Sequence, residues 1–264
     1  MLKVGFTTEG TREIQKLFGD KIIQFPKPVS LIKALVKQCV GDGEFVMDFF
    51  AGSATTAQAV LEQNREDGIG RRYVLVQLPE PLQEPKKLSG DLELTTIADI
   101  GKERIRRVIK KLKDEAKGKL DLKDREEPED LGFKAFKLAE SNYRPWKGVE
   151  EKDGEAFART MAMFIDPLLP GWKPVNVIYE VALKEGYTLT CNVEEVKGTA
   201  GNAVYRVTDA DKGQSFLICL DHKLKTAAIK ALGLKKDDLF ICRDVALTDE
   251  QAANLALQCK LKTT

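Results

Sequence analysis

Phe45-Val46-Met47-Asp48-Phe49-Phe50-Ala51-Gly52-Ser53-Ala54-Thr55-Thr56-Ala57 is the stretch whose reading decides the fold. An apolar run, expected as a strand over 44–50, ends in a turn of acidic, aromatic and small residues. A helix opens at once, expected from Thr55 to about Asn64. Such a strand–turn–helix aims the N–H groups of the turn and of the helix N-terminus at one place, where a ligand can sit. Small residues there let the backbone approach that ligand closely. Many α/β proteins use the same turn for packing alone, so both readings stand at this point.

Working outward, the flanks extend the pattern. Residues 11–18 read as a short helix. Pro28 suits the first turn of a helix running to about Cys39, with Val29, Leu31, Ile32, Leu35 and Val36 as its apolar face. Gly41 and Gly43 break that helix before the strand. Residues 72–78 read as a second buried strand and 97–113 as a long basic helix. Helix, strand, helix, strand, helix predicts a parallel α/β arrangement over residues 1–113. Residues 114–130, charged and poor in apolar residues, read as a helix end and linker.

Residues 131–264 alternate less regularly. Gly132 to Leu138 alternates like a strand, Val175 to Lys184 like a helix closed by Gly186. Strands are expected over Tyr187–Val196, Val204–Thr208, Ser215–Leu220 and 239–243, with helices at 223–232 and 248–259. Together they predict a smaller α+β domain.

Composition narrows the function classes. The chain has 264 residues, enough for two ordinary domains, and a net charge of +1. A DNA-wrapping module would be more basic, so any DNA contact here is expected to be local. No apolar run reaches the length of a membrane span, and no signal segment opens the chain. Of the five cysteines, Cys39, Cys191, Cys219, Cys242 and Cys259, four lie in or beside apolar runs, which favours buried reduced thiols. With His222 the one histidine and no close cysteine pair, no metal site is expected.

A series of short motifs carries a resemblance. It comprises Glu9-Gly10-Thr11-Arg12-Glu13, Leu17-Phe18-Gly19, Phe25-Pro26-Lys27-Pro28, Asp48-Phe49-Phe50-Ala51-Gly52-Ser53, Val76-Gln77-Leu78-Pro79-Glu80-Pro81 and Ile97-Ala98-Asp99-Ile100-Gly101-Lys102-Glu103-Arg104-Ile105-Arg106-Arg107. In this order they resemble the C-terminal half of the modification subunit of type III restriction–modification systems, an adenine-specific DNA methyltransferase. The likeness is strongest before residue 140. It implies a Rossmann-like S-adenosylmethionine-binding half, a smaller C-terminal domain for subunit contacts and a cytoplasmic protein. It also implies DNA, a restriction subunit and a second modification subunit as partners. This family places a catalytic Asp-Pro-Pro-Tyr tetrapeptide and a target-recognition region before the cofactor motifs. The tetrapeptide occurs nowhere here, and Asp166-Pro167-Leu168-Leu169 is the nearest run. The chain is therefore expected to be one piece of a truncated, cut or split methyltransferase and inactive alone.

The resemblance assigns Phe25, Lys27, Pro28, Asp48, Phe49, Phe50, Gly52, Ser53, Thr55, Thr56 and Gln77 to the cofactor. Lys27 would pair with a carboxylate, and the start of the 55–64 helix would receive the methionine carboxylate. Gln77 or Glu80 would meet the ribose hydroxyls, and Phe49 or Phe50 would wall the adenine, the other being core. The plainer alternatives are that Asp48 caps the turn and that Thr55 and Thr56 cap the helix. Ala54 stands where the family usually has glycine, so its methyl is expected to crowd the cofactor or to strain a positive φ. Lys102, Arg104, Arg106, Arg107, Lys110, Lys111 and Lys113 give a basic helix. Arg106 and Lys110, one turn apart, are its candidate phosphate contacts, against the alternative of a solvated face. In the second domain Asp221-His222 reads as a turn, and Trp146 and Trp172 as core or loop anchors. A second functional reading remains, a non-catalytic docking module with a decayed cofactor pocket.

Overall fold

The computed structural model describes residues 5–88, 92–117, 130–146, 148 and 154–264. The chain divides between Ala135 and Phe136 into two compact units. Most of the segment expected to link them, 118–129, lies outside the described residues. Leu131 and Phe133, expected to open the second domain, instead pack into the first unit's core beside Ala57, Leu61 and Val108.

In the first unit, α1 (Thr7–Phe18) ends at Gly19 in the left-handed region. α2 spans Val29–Cys39, and Pro28 is its N-cap, one residue outside the helix rather than in its first turn. A parallel pair follows: β1 (Phe45–Asp48) and β2 (Arg72–Leu75), joined through α3 (Thr55–Asp67). The register runs from Phe45 opposite Arg72 to Asp48 opposite Leu75. Both strands are shorter than expected, because Asp48 turns the chain and leaves Phe49 and Phe50 outside the ladder.

The two faces of this pair differ. Tyr73 and Leu75 point toward the core built by Ala57 and Leu61 of α3 with Ile105, Val108 and Leu112. On the other face Phe45, Met47, Val74 and Val76 are 52, 61, 41 and 45 % exposed. The second strand, expected to be buried, is therefore buried on one side only. Parallel strands ordinarily have both faces covered, so an apolar face left open is unusual.

Next comes an antiparallel ribbon that the sequence pattern missed, β3 (Pro81–Lys87) with β4 (Glu93–Thr96). Its register shifts between Pro81 and Lys86, and Leu94 anchors it in a core with Ile14, Phe18, Ile22 and Ile100. β4 runs straight into α4 (Ile97–Ala116). Thr96 Oγ1 accepts from the Asp99 N–H at 3.1 Å, and Asp99 Oδ2 accepts from the Thr96 N–H at 3.0 Å. This reciprocal cap fixes where the helix starts. Hydrogen bonding to Lys102, and to Thr96 and Thr95, holds the Asp99 carboxyl well below the usual range.

The second unit contains α5 (Gly154–Met163) and α6 (Pro174–Lys184), then β5 (Asn192–Glu195), β6 (Val204–Asp209), β7 (Gln214–Cys219), α7 (Thr226–Leu232), β8 (Leu239–Cys242), α8 (Asp249–Gln258) and β9 (Lys260–Thr263). The strands form one sheet in chain order, antiparallel from β5 to β7 and parallel from β7 to β9. Inward residues alternate between two cores. Val177, Ile178 and Val181 of α6 meet Val207, Phe216, Ile218 and Ile241 on one face. Ala228 of α7 and Leu255 of α8 meet Leu217, Cys219, Phe240 and Cys242 on the other. The expected strand over 132–138 is absent, the strand expected from Tyr187 begins only at Asn192, and β9 was not anticipated.

Candidate functional site

Asp48 ends β1 and organises the turn. Its Oδ1 accepts from the Phe50 N–H at 3.1 Å and its Oδ2 from the Thr56 hydroxyl at 2.6 Å, so one carboxylate ties the strand end to the helix start. Gly52 has φ 52°, and its N–H donates to Gln77 Oε1 at 2.7 Å. Gln77 Nε2 donates to the Leu78 carbonyl at 3.2 Å, which leaves a second amide hydrogen for a ligand oxygen. The geometry thus joins Asp48, Phe50 and Thr56 in one bonded group and Gly52 and Gln77 in a second on the same turn.

The helix beyond opens without a side-chain cap: Ala54 is the N-cap, and no side chain accepts from the first N–H groups of α3. The threonines, whose plainer reading was capping, are turned to other uses. Thr56 donates to Asp48, and the Thr55 hydroxyl accepts from Arg104. What this helix start can offer a ligand is backbone N–H and the positive end of the helix dipole. Ser53, Thr55 and Thr56 are all buried.

Ala54 adopts φ 60° and ψ 39°, so a positive φ is confirmed. Its methyl does not line the open side of the turn. Ala54 is 2 % exposed and sits in the core with Ile105, and Gly101 of α4 lies so close that a Cβ there would be 3.4 Å from the Ala54 Cβ. The expected crowding of a ligand is thereby corrected to packing against α4. Ala54→Gly would relieve about 1 kcal/mol of left-handed strain. It would also lose a buried methyl worth about 0.8 kcal/mol and add freedom to the unfolded chain. The net change in urea-melt stability is expected to stay within about 1 kcal/mol. A gain above about 2 kcal/mol would mean the methyl is poorly packed.

Phe49 and Phe50 meet edge to face, with ring centroids 5.6 Å apart. They are 60 and 85 % exposed, so neither is the core residue expected of one of them. Phe25 is also exposed and has φ 52°, a conformation that a bulky side chain rarely adopts. Lys27 is exposed and Pro28 buried. This entry to α2 is clamped by α1: Glu13 Oε2 accepts from the Val29 N–H at 3.1 Å, and a Cβ on Gly10 would lie 2.3 Å from the Pro26 carbonyl oxygen. Burial raises the Glu13 pKa, against the Val29 N–H and the nearby Arg104 charge, which lower it. Among the described residues no hydrogen bond joins Phe25 or Lys27 to the turn at 48–56.

The basic helix is largely neutralised. Lys102 pairs with Asp99 at 2.8 Å, Arg107 with Glu103 at 2.7 Å and Lys111 with Glu62 at 3.5 Å. Arg104 is not on the surface at all. Arg106 and Lys110 are exposed, Arg106 with a long 3.7 Å ion pair to Glu103. All five cysteines are free, and burial pushes the Cys219 thiol up to about 11 and that of Cys242 to about 12. His222 is exposed, 4.0 Å from the Asp166 carboxylate. Trp172 packs against the second unit's core beneath Arg243, whereas Trp146 is exposed and meets Phe164 edge to face. Among the described residues no group of acidic, cysteine and histidine side chains could hold a metal ion, and no helix is long and apolar enough to cross a membrane.

Residues 7–115, which contain the turn after β1 and its hydrogen-bond partners, match the DNA methylase family. The first unit carries a segment similar to DNA methylases. The chain is 36% identical over 136 residues to the type III restriction-modification enzyme StyLTI Mod subunit of Salmonella typhimurium, covering 52% of this chain and 20% of that protein. It is 40% identical over 105 residues to the EcoPI Mod subunit of Escherichia phage P1, covering 40% and 16%. It is 29% identical over 189 residues to the EcoP15I Mod subunit of Escherichia coli, covering 70% and 26%. The likeness to a part of a type III modification subunit therefore rests on aligned sequence as well as on motifs. The chain spans about a quarter or less of the length of these relatives. Within residues 7–115, sequence reasoning placed Arg104 on the basic face, whereas the structure buries it.

Proposed function

We propose that residues 1–113 supply the S-adenosylmethionine-binding part of a Rossmann-like, adenine-N6 DNA methyltransferase of the type III restriction–modification class. In this reading the second unit, Phe136–Thr264, is a domain for subunit contacts. The observation that carries the proposal is the turn after β1, where Gly52 holds a positive φ beside an uncapped helix N-terminus. That donor set fits a carboxylate, and the exposed aromatic side chains beside it fit an adenine face. The N–H groups of Thr55 and Thr56 would receive the methionine carboxylate, with Lys27 as a charge partner. The second Nε2 hydrogen of Gln77 would meet a ribose hydroxyl, and Asp48 would keep the turn in shape. Phe49, Phe50 and Phe25 would exclude water from the base. Bound there, the cofactor supplies the methyl group.

The open apolar face of Phe45, Met47, Val74 and Val76 supports a further layer of polypeptide over the parallel pair. We assign that layer to the part of the methyltransferase that carries Asp-Pro-Pro-Tyr and the target-recognition region. DNA, a restriction subunit and a second modification subunit would be its partners, in the cytoplasm. DNA contact by this chain would be confined to cations such as Arg106 and Lys110. The names of the relatives support this reading. The competing docking module drew its support from Ala54, whose methyl packs into the core instead of the pocket.

Thermal melting tests the cofactor claim. S-adenosylmethionine at a hundred times its Kd should stabilise the chain by about 2.7 kcal/mol. Asp48→Ala, by releasing Thr56 and the Phe50 N–H, should weaken binding roughly tenfold in a folded sample, the equivalent of about 1.4 kcal/mol. No binding by the folded parent would leave the docking module as the better reading.

A further inference from the structure

Arg104 heads the fully buried side chains of the described residues, with no exposed surface. Its donors go to one place. Nε donates to Gln58 Oε1 at 2.8 Å, and Nη1 donates to the Ser53 hydroxyl at 2.9 Å, the Thr55 hydroxyl at 2.8 Å and the Ser53 carbonyl at 3.4 Å. These acceptors belong to the turn and to the first turn of α3. Nη2 is buried with no hydrogen-bond partner. Glu13 and Glu62 act on the guanidinium electrostatically without an ion pair to it among the described residues, and burial lowers its pKa to about 10, so it remains a cation at neutral pH.

A buried cation without a contacting carboxylate is expensive, several kcal/mol in desolvation. Packing alone would be served better by an apolar side chain. The guanidinium does what such a side chain could not: its rigid fork bonds the hydroxyl and carbonyl of Ser53 in the turn and the side chains of Thr55 and Gln58 in the first turn of α3. Gly101, one turn earlier on α4, brings the helix backbone against Gly52 and Ala54, which lets the arginine reach beneath them.

We propose that Arg104 is the positioning residue of this turn, drawing Ser53 and Thr55 inward so that the backbone N–H groups of the α3 start, and not those hydroxyls, face the ligand. The nature of the ligand rests on the cofactor reading above, whereas the bracing does not. Phe50 and Gly52 contact Asp48 and Gln77 rather than Arg104, so their amides report the shape of the turn independently of local contact.

The test uses the isotopically labelled chain with Arg104→Lys, which keeps the charge and loses the fork, and Arg104→Met, which keeps the bulk and loses the charge. A double variant, Ser53→Ala with Thr55→Val, removes acceptors and leaves the arginine in place should the first two not fold. In variants that keep the parent's helical signal, the Phe50 and Gly52 amides should shift and exchange at least tenfold faster, and the affinity for S-adenosylmethionine should fall at least tenfold. A lower melting temperature alone would suit any core residue and is not the readout. Unmoved Phe50 and Gly52 amides in a folded variant would overturn the bracing. If the parent binds no S-adenosylmethionine yet the amides move, the cofactor reading fails and the brace stands. Equal binding by parent and variants would instead sink the brace and leave the cofactor reading intact.

Discussion

Purified alone and given S-adenosylmethionine and unmethylated DNA, this chain is expected to transfer no methyl group above a heat-killed control. The reason is chemical. An extruded adenine must have its amino group held by acceptors in a pocket that also grips the base. The tetrapeptide that does this in the resembling family is missing from the sequence. The face of the parallel pair on which further structure would be layered is open apolar surface. Incorporation of radiolabelled methyl into DNA by the pure chain would overturn the reading of a cofactor-binding part. Restoration of transfer by adding a separately produced piece that carries the tetrapeptide would strengthen it.

The second large effect is on stability. Gly10→Ala lies in the middle of a helix, where alanine is ordinarily better than glycine by about 1 kcal/mol. Here the sign should reverse. The new Cβ would be 2.3 Å from the Pro26 carbonyl oxygen and 2.9 Å from that of Lys27, both backbone atoms that cannot rotate away. Relief requires moving α1 off the entry to α2, and overpacking of this kind costs about 1–3 kcal/mol or more. The net expectation is a loss of about 2 kcal/mol in urea melts, with Glu13 pulled away from the Val29 N–H. Gly154→Ala is the control, since a Cβ there meets nothing within 4 Å. Gly10→Ala melting at or above the parent would show that α1 can slide freely.

The sequence was most informative where local chemistry is decisive. The passage from Val46 through Asp48 to Thr55 could be read as strand, turn and helix because turn residues and periodicity change within a few positions. The helix to about Cys39 could be read from its apolar face, and the basic run over 97–113 marked the body of the helix that ends at Ala116. Arg104 was misplaced because it lies among cations on a helix, and its acceptors come from residues some fifty positions earlier. Nothing local marks that partnership. The β3–β4 ribbon was hidden by Pro81 and Pro85, which argue against a strand unless it is an edge or carries a register shift. β9 escaped notice for a related reason: Lys260 and Lys262 are typical of an edge strand kept from pairing with strangers, and they blur the apolar pattern. The apparent alternation of 132–138 came from Phe133 and Phe136. Those rings go to different places, one to the first unit's core and one against Tyr179.

The short parallel pair also has a bearing on how this polypeptide can be handled. Among the described residues this sheet has two strands, and each keeps one unpaired row of N–H and C=O groups beside an apolar surface. That combination is a template for strand addition and self-association. Colloidal behaviour should therefore depend steeply on concentration. Yield in a cell should depend on how soon a chaperone or another covering surface arrives, a matter of timing as much as of affinity.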